Sequence, residues 1–202
     1  MKEPRITPLP PAEMRKDWLD TLDKLPGNGL KGKHAPVNVL GTLMKHTDLI
    51  GHYLEYWVSA KNVAELNARA QELIILRIAI HYDCDYVWGH HVPPALESGL
   101  SRGEIALIPF DINAEDWSSC DQVLLKATDE LILNRAIKDG TWGELSTYLS
   151  EHECLDFIHL VTQYVFFSSV NNTFQIELES GIERIPAEDN VKNIVVAGFG
   201  AN

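Results

Sequence analysis

The sequence predicts an all-helical protein, and three observations point to this fold class. Apolar residues recur at spacings of three and four along most of the chain, which is the period of an amphipathic helix. Ser101–Glu104 and Thr141–Glu144 both match the capping box that opens a helix. No stretch shows the regular alternation of strands and helices that a parallel sheet requires. We therefore expect one helical domain.

The first half of the chain is predicted to form a proline-rich extended arm followed by helices. Met14, Trp18 and Leu22 lie at helical spacing after the arm. Pro26-Gly27-Asn28-Gly29 then breaks the chain. Asn67 is a candidate cap for a central helix that is apolar on nearly every side. The helices predicted here cover residues 11–25, 37–46, 48–61, 68–82 and 85–98, and Pro93-Pro94 is expected to kink or split the last of them.

The second half continues with helices and ends in a tail. A short helix is expected from Ser101 to just before Pro109, and Asp139-Gly140 is expected to stop a long helix. The longer predicted helices here cover residues 120–138, 141–149 and 151–169. The FQIELE segment that follows is strand-like or extended, and the apolar NIVVAGFG of the tail suggests a swapped or docked arm. The predicted boundaries are an arm over 1–10, a helical domain over 11–182 and a tail over 183–202.

Composition excludes several classes of function. The net charge of −12 disfavours nucleic-acid binding, because phosphate contacts need clustered Lys and Arg. No apolar run approaches the roughly 18 residues that span a membrane. The N-terminus has no apolar stretch that would serve as a signal peptide, so a cytoplasmic location is expected. Cys84, Cys120 and Cys154 are an odd, sparse set rather than a disulfide framework.

The segment from Gln71 to Ser101 carries the chemistry. Glu72 lies in an apolar helix, where a carboxylate needs a partner or its pKa rises, and a raised pKa suits proton transfer. Cys84 lies at the start of the next helix, whose positive end favours a thiolate. His91 follows Cys84 by seven residues, two helical turns, and so shares a face with it. These three residues outline an acid–base–nucleophile arrangement.

Other interpretations of these residues stay open. A lone cysteine in an apolar context is usually a small core residue. His90 and His91 are adjacent, so their directions differ by about 100° and both can hardly serve one site. Tyr86 and Trp88 fit packing residues or pocket walls. A metal site of Glu72, His90 and His91 matches no standard ligand spacing, and no glycine-rich phosphate loop is present, so neither metal nor cofactor is expected.

The spacing of these residues resembles a known superfamily. Glu72, then Cys84 twelve residues later, then His91 is similar to the alkyl hydroperoxidase D (AhpD) signature of Glu, Cys-x-x-Cys and His, except that Val87 stands at the second cysteine position. CDYVWGHH also resembles carboxymuconolactone decarboxylase-like members with a single Cys-x-Tyr-x-Trp-x-x-His pattern. The resemblance implies an AhpD-like helical bundle and a homo-oligomer (a trimer or hexamer, or a dimer).

The resemblance leaves three functions open. The first is acid–base chemistry on a small acidic or carbonyl compound, namely decarboxylation, isomerisation or lactone opening, with Glu72, Cys84 and His91 as the catalytic residues. The second is a thiol peroxidase acting through Cys84, which the missing resolving cysteine disfavours. The third is a non-catalytic protein that binds a small molecule or assists assembly. The residues expected to bind a substrate are Tyr86, Trp88, His90, Tyr53 and Trp57.

Overall fold

The computed structural model of the protein describes residues 3–22, 37–110, 112 and 117–186. These residues contain α-helices and short 3-10 turns but no β-strand, so the predicted all-helical class is confirmed. No helix among them is both long and apolar enough to cross a membrane. The helices are α1 (Lys16–Leu22), α2 (Val37–Leu43), α3 (Thr47–Val63), α4 (Ala68–His81), α5 (Asp85–Glu97), α6 (Arg102–Leu107), α7 (Ser119–Asn134), α8 (Asp139–Leu145) and α9 (Glu151–Phe174).

The chain divides into two compact units, one made of Met1–Ala64 with Val170–Ile182, the other of Glu65–Ser169 with Glu183–Asn202. In the first unit, residues 3–10 form no helix or strand, and the Leu9 N–H donates to the carbonyl of Gly41. Trp18 packs so closely on Gly51 that a Cβ at position 51 would lie 2.0 Å from the indole. Glycine at that position therefore lets α1 approach α3.

The second unit is built around α4. All but four of its residues are buried, because its sequence is apolar on nearly every side. α4 packs against α5 and α7. The buried charged residues of α4 are Glu72 and Arg77, and each has an oppositely charged or ionisable partner on another helix. Charged groups inside a helical core need such partners, since unpaired burial costs several kcal/mol.

Several predicted helix signals are confirmed. The side chain of Asn67 accepts the N–H of Ala70 at the start of α4. Ser101 and Glu104 form a reciprocal capping box at the start of α6, which ends before Pro109. The expectation that Pro93-Pro94 splits α5 is corrected, because the helix runs through both to Glu97, and a kink at these residues stays a prediction. Pro93 and Pro94 lack the N–H groups that would bond the carbonyls of Gly89 and His90, so α5 continues with two fewer backbone hydrogen bonds.

The α7–α8 junction differs from the prediction. α7 ends at Asn134, four residues early, because Arg135 adopts a left-handed conformation with φ 65°. Asp139-Gly140 does not stop a helix but opens α8, whose N-cap is Lys138. The predicted Thr141–Glu144 capping box is absent, and Thr141 instead donates to the Glu130 carboxylate.

The end of α9 also differs from the prediction. α9 continues to Phe174, five residues past the predicted end. Residues 176–179 of the FQIELE segment then carry no strand. Leu25 and the NIVVAGFG segment lie outside the described residues.

The left-handed Arg135 yields a stability prediction. A side chain in this conformation costs about 1–2 kcal/mol, whereas glycine avoids that cost but loses roughly 0.5–1 kcal/mol of backbone entropy. We expect Arg135→Gly to raise the free energy of unfolding by about 0.5–1 kcal/mol, measured by urea denaturation. Arg135→Ala keeps the strain and serves as the control. Equal stability of the glycine and alanine variants would contradict the prediction.

Candidate active site

Glu72 and His91 form a hydrogen-bonded pair between α4 and α5. The Nδ1 atom of His91 lies 2.7 Å from Oε2 of Glu72. The Glu72 side chain is 8% exposed and that of His91 18%, so the carboxylate is buried while the imidazole reaches solvent. One ring nitrogen is thus held by a carboxylate. The other, Nε2, makes no hydrogen bond within the described chain.

Tyr164 of α9 fixes the orientation of the His91 ring from the other side. The two rings meet edge to face at 88°, with centroids 4.9 Å apart. This geometry is the favourable one for aromatic pairs. Tyr164 is itself buried. The His91 ring therefore contacts α4 through its Nδ1 atom, which bonds Glu72, and α9 through its packing on the Tyr164 ring. These two contacts restrict the orientation of the His91 ring.

Cys84 is the N-cap of α5 and is almost completely buried. Burial raises the pKa of its thiol to about 11. The backbone N–H groups of Val87 and Tyr86 and the Ser168 hydroxyl favour the thiolate but do not offset that cost. The N–H groups at the start of α5 lower the pKa of the Cys84 thiol, as the sequence suggested, but desolvation raises that pKa by more. At neutral pH Cys84 is a protonated thiol.

Ser168 was not singled out from the sequence. Its hydroxyl is fully buried beside the Cys84 thiol and has no hydrogen-bond partner of ordinary geometry in the described chain. Ser168 follows Tyr164 by one turn of α9, so one face of this helix meets both Cys84 and His91. The only feature of the sequence that indicated Ser168 was its position four residues after Tyr164, on the same face of α9. No hydrogen bond links Cys84 to His91 in the described part of the chain.

The residues that were predicted to bind a substrate differ in burial and in the unit to which they belong. Tyr86 is buried with its ring 4.6 Å from that of His90, centroid to centroid. Trp88 is fully buried. Tyr53 and Trp57 lie on α3, in the first unit. Their roles as substrate-binding residues stay predictions.

The remaining cysteines lie far from Cys84. All three thiols are free. Cys154 lies in the first turn of α9, and Glu153 in the same turn interacts with Cys120. Cys84 meets α9 at Ser168, fourteen residues further along. At 1.5 Å per residue this separates the thiols by about 20 Å, far beyond disulfide reach. Neither cysteine is positioned to resolve an oxidised Cys84.

A second charged cluster in the same unit was also missed. Arg77 of α4 donates from Nε and Nη2 to both oxygens of Asp129 on α7, at 2.6 and 2.7 Å, and His81 Nε2 lies 2.6 Å from Asp129 Oδ1. Burial alone would raise the pKa of Asp129, but the hydrogen bonds from His81 and Arg77 outweigh it and lower the pKa. The Arg77 Nη1 group donates to the Ile108 carbonyl. No group of three or more potential metal ligands converges among the described residues.

The raised pKa of Cys84 predicts slow, pH-dependent reactivity. At pH 7 its thiolate fraction should be about 100-fold below that of a thiol with the ordinary pKa of 9.0, so alkylation by iodoacetamide should be slowed at least that much. The rate should rise about tenfold per pH unit until about pH 11. Mass spectrometry of the Cys84 peptide measures it, with the urea-unfolded chain as control. A rate that levels off below pH 9 would refute this prediction.

The chain was compared with known protein families and structures. Residues 48–118 match the model of the carboxymuconolactone decarboxylase family. This segment contains Glu72, Cys84 and His91. A search of the curated proteins found no significant match. The likeness to the carboxymuconolactone decarboxylase and AhpD-like superfamily, which the sequence indicated, is confirmed by this match together with the solved structures.

Three solved structures share the fold. The apo debrominase Bmp8 is 13% identical, with a TM-score of 0.68 over 96% of this chain and 97% of its own. A cysteine-to-alanine variant of Bmp8 in complex with 2,3,4-tribromopyrrole is 12% identical, with a TM-score of 0.68 over 96% of both chains. The Agrobacterium tumefaciens protein ATU0492, of unknown function and associated with AhpD antioxidant defence, is 19% identical. Its TM-score is 0.55 over 67% of this chain and 90% of its own.

Proposed function

We propose that this chain, whose fold is that of carboxymuconolactone decarboxylase-like and AhpD-like proteins, is an enzyme that moves a proton at carbon. Its substrate would be a small acidic compound with a carbonyl, enol or lactone group. The observation that carries the proposal is the 2.7 Å contact between His91 Nδ1 and the buried Glu72 carboxylate. A histidine that is oriented by a carboxylate and partly exposed is the usual form of a general base.

The pair supports a simple proton transfer. With Glu72 ionised, the His91 Nδ1–H donates to it and Nε2 keeps its lone pair. Nε2 would then take a proton from the carbon next to the carbonyl, leaving the electron pair in an enolate. Glu72 stabilises the imidazolium that forms. Return of the proton to another carbon completes an isomerisation. In a decarboxylation no C–H bond would break first: the carbon–carboxylate bond breaks, carbon dioxide leaves, its electron pair forms the enolate, and a His91 imidazolium protonated from solvent delivers one proton to that carbon.

Cys84 would be a neutral polar member of the same site. Its thiol is protonated at neutral pH because burial raises its pKa to about 11. A protonated thiol donates a weak hydrogen bond, and the neighbouring Ser168 hydroxyl donates a stronger one. Both groups would face the oxygen of an enolate. We propose Tyr86, Trp88 and His90, which belong to the same unit as Glu72 and His91, as substrate-binding residues.

The experiment that tests the proposal uses solvent deuterium. A panel of γ-lactones, enol lactones and β-keto acids is incubated with the protein in D₂O, and ¹H NMR follows deuterium incorporation and product formation. Exchange or turnover in the wild-type chain that His91→Gln abolishes is the expected result. Activity that His91→Gln retains would exclude this mechanism. Tight binding of a panel member without exchange or turnover would favour the non-catalytic alternative.

A thiol-peroxidase role is less well supported. A peroxidatic cysteine reacts as the thiolate, and burial keeps Cys84 protonated near neutral pH. Cys154 at the start of α9, and Cys120 of α7 near it, lie too far from Cys84 to form the second half of a dithiol cycle. An external thiol would have to reduce any sulfenic acid formed at Cys84. Trapping of that acid with dimedone after hydrogen peroxide is the direct test.

A second candidate is removal of a halogen from a small aromatic ring. It is favoured by the buried Cys84–Ser168 pair in a chain that shares the fold of a debrominase over nearly its whole length. Replacing a carbon–halogen bond with a carbon–hydrogen bond requires two electrons. Two external thiols would supply them on becoming a disulfide, with release of hydrogen halide. Bromide release from 2,3,4-tribromopyrrole with added thiol, lost in Cys84→Ser, would place this function first.

We also propose that the chain forms a homo-oligomer. Leu155 and Ile158 lie three residues apart on α9, and Phe166 lies two turns beyond Ile158. All three are exposed, by 70%, 37% and 39%. Apolar faces of this kind on a long helix are usually covered by another subunit. Light scattering coupled to size exclusion gives the subunit number.

A further inference from the structure

An open hollow lies in the second unit, away from the proposed active site. Its volume is about 580 Å³, which is within the range of small-molecule sites. None of Glu72, Cys84 or His91 lines it. Aliphatic side chains of α7 and α9 form its walls, namely those of Leu131, Ile132, Val161 and Val165. Such walls suit the hydrocarbon body of a ligand.

The imidazole of His81 forms part of the wall of the hollow. Its side chain is 7% exposed, and its Nε2 atom contacts the Asp129 carboxylate. Asp129 is also held by both arms of the Arg77 guanidinium. Asp129 therefore links Arg77 to His81, and these contacts restrict the position of the His81 ring. Its Nδ1 atom is buried and has no hydrogen-bond partner in the described chain.

Arg135 supplies the charge of the hollow. It lines the hollow and is exposed, and within the described residues its side chain makes no ion pair. Arg135 is thus a cationic group whose guanidinium can pair with an anionic ligand. Arg135 also occupies a left-handed conformation, φ 65°, in which glycine would be more stable. Strained residues that line a concave surface are often kept for a ligand.

We propose that this hollow binds a small organic acid with an aliphatic body. The carboxylate pairs with the Arg135 guanidinium, whose fork of N–H donors matches it. The hydrocarbon chain lies along the four aliphatic side chains and ends against the His81 ring. This site is separate from the Glu72–His91 pair. Its existence does not depend on the function proposed for that pair.

The test uses octanoate as the probe and 1-octanol as its uncharged match. Octanoate binding is measured by calorimetry, and imidazole ¹⁵N–¹H NMR of histidine-labelled protein reports where it binds. We expect octanoate to bind more tightly than octanol and to shift the His81 resonances but not those of His91. Arg135→Gln should weaken octanoate binding about fivefold, the effect of one exposed charge pair, and leave octanol binding unchanged.

Two variants make the outcome decisive. Arg135→Gly removes the guanidinium in a chain expected to be at least as stable as the wild type, so loss of binding there cannot reflect unfolding. Val165→Trp fills the hollow and should abolish octanoate binding, while His91→Gln should leave it unchanged. The proposal is overturned if octanoate does not bind, if both Arg135 variants bind it normally, or if it shifts His91 in place of His81. The last result would locate the probe at the active site and leave the proposed function standing.

Discussion

Replacing His91 with glutamine is expected to lower kcat for proton transfer by a factor of roughly 10²–10⁴, the usual contribution of a general base. Glutamine keeps a hydrogen-bonding group of similar length near Glu72 but cannot take a proton. The substrate is the panel compound that the wild-type chain turns over. Because His91 is partly exposed, the variant should fold normally, which circular dichroism checks. KM should change little, since the lost interaction belongs to the transition state.

Two further variants separate catalysis from packing. Glu72→Gln keeps a hydrogen bond to His91 but removes the charge that stabilises the imidazolium, so a loss of about 10–100-fold is expected, typical of a group that orients another. His52→Gln, at an exposed histidine outside the proposed site, is the matched control and should stay within a few-fold of wild type. A His91→Gln rate within tenfold of wild type would rule out general-base catalysis by this residue.

Replacing Asp129 with asparagine is expected to lower the free energy of unfolding by about 3–5 kcal/mol, because it leaves the Arg77 charge buried without a counter-ion. Only the bond from Arg77 to the Ile108 carbonyl and those to a neutral amide would remain. Urea denaturation at pH 7 measures the loss. The pKa of Asp129 is lowered in the folded state, so the charge contributes fully above its ordinary value near 4. The difference from wild type should shrink as the pH falls below that value.

The exposed pair Lys126–Glu144 offers the matched control. Both of its side chains are more than two-fifths exposed, so Glu144→Gln should cost less than about 1 kcal/mol. Joint replacement of Arg77 and Asp129 with methionine and leucine removes both charges and should recover much of the loss, since no buried charge is left alone. A loss below about 1 kcal/mol in Asp129→Asn would show that the pair contributes no more than a surface one.

Local signals in the sequence predicted much of the fold. The Asn67 cap and the Ser101–Glu104 capping box act within four residues, and both are confirmed. The end of α7 was not predicted, because Arg135 carries no sequence signal for a left-handed conformation. Thr141 matched a capping box but donates to Glu130 on another helix. A contact between distant segments overrode a local motif there.

In the candidate site, too, the sequence indicates the residues, whereas contacts between distant segments determine their geometry. The spacing of Glu72 and His91 is visible in the chain, but their 2.7 Å contact exists only because α4 packs on α5. Tyr164 and Ser168 come from a helix more than seventy residues beyond His91 along the chain, and their spacing alone is typical of any buried helix face. Their places beside His91 and Cys84 follow from the packing of α9.

The sequence by itself determined the all-helical class, most helix starts, the superfamily likeness and the segment that carries Glu72, Cys84 and His91. These depend on hydrophobic period, capping side chains and short spacings, which are properties of neighbouring residues. Tertiary structure alone decided which charges pair in the core, where α7 ends and whether Cys84 ionises. The helix start favours the thiolate, but the pKa of Cys84 is about 11 because packing removes water from its sulfur, and the extent of that removal depends on residues far away in the chain.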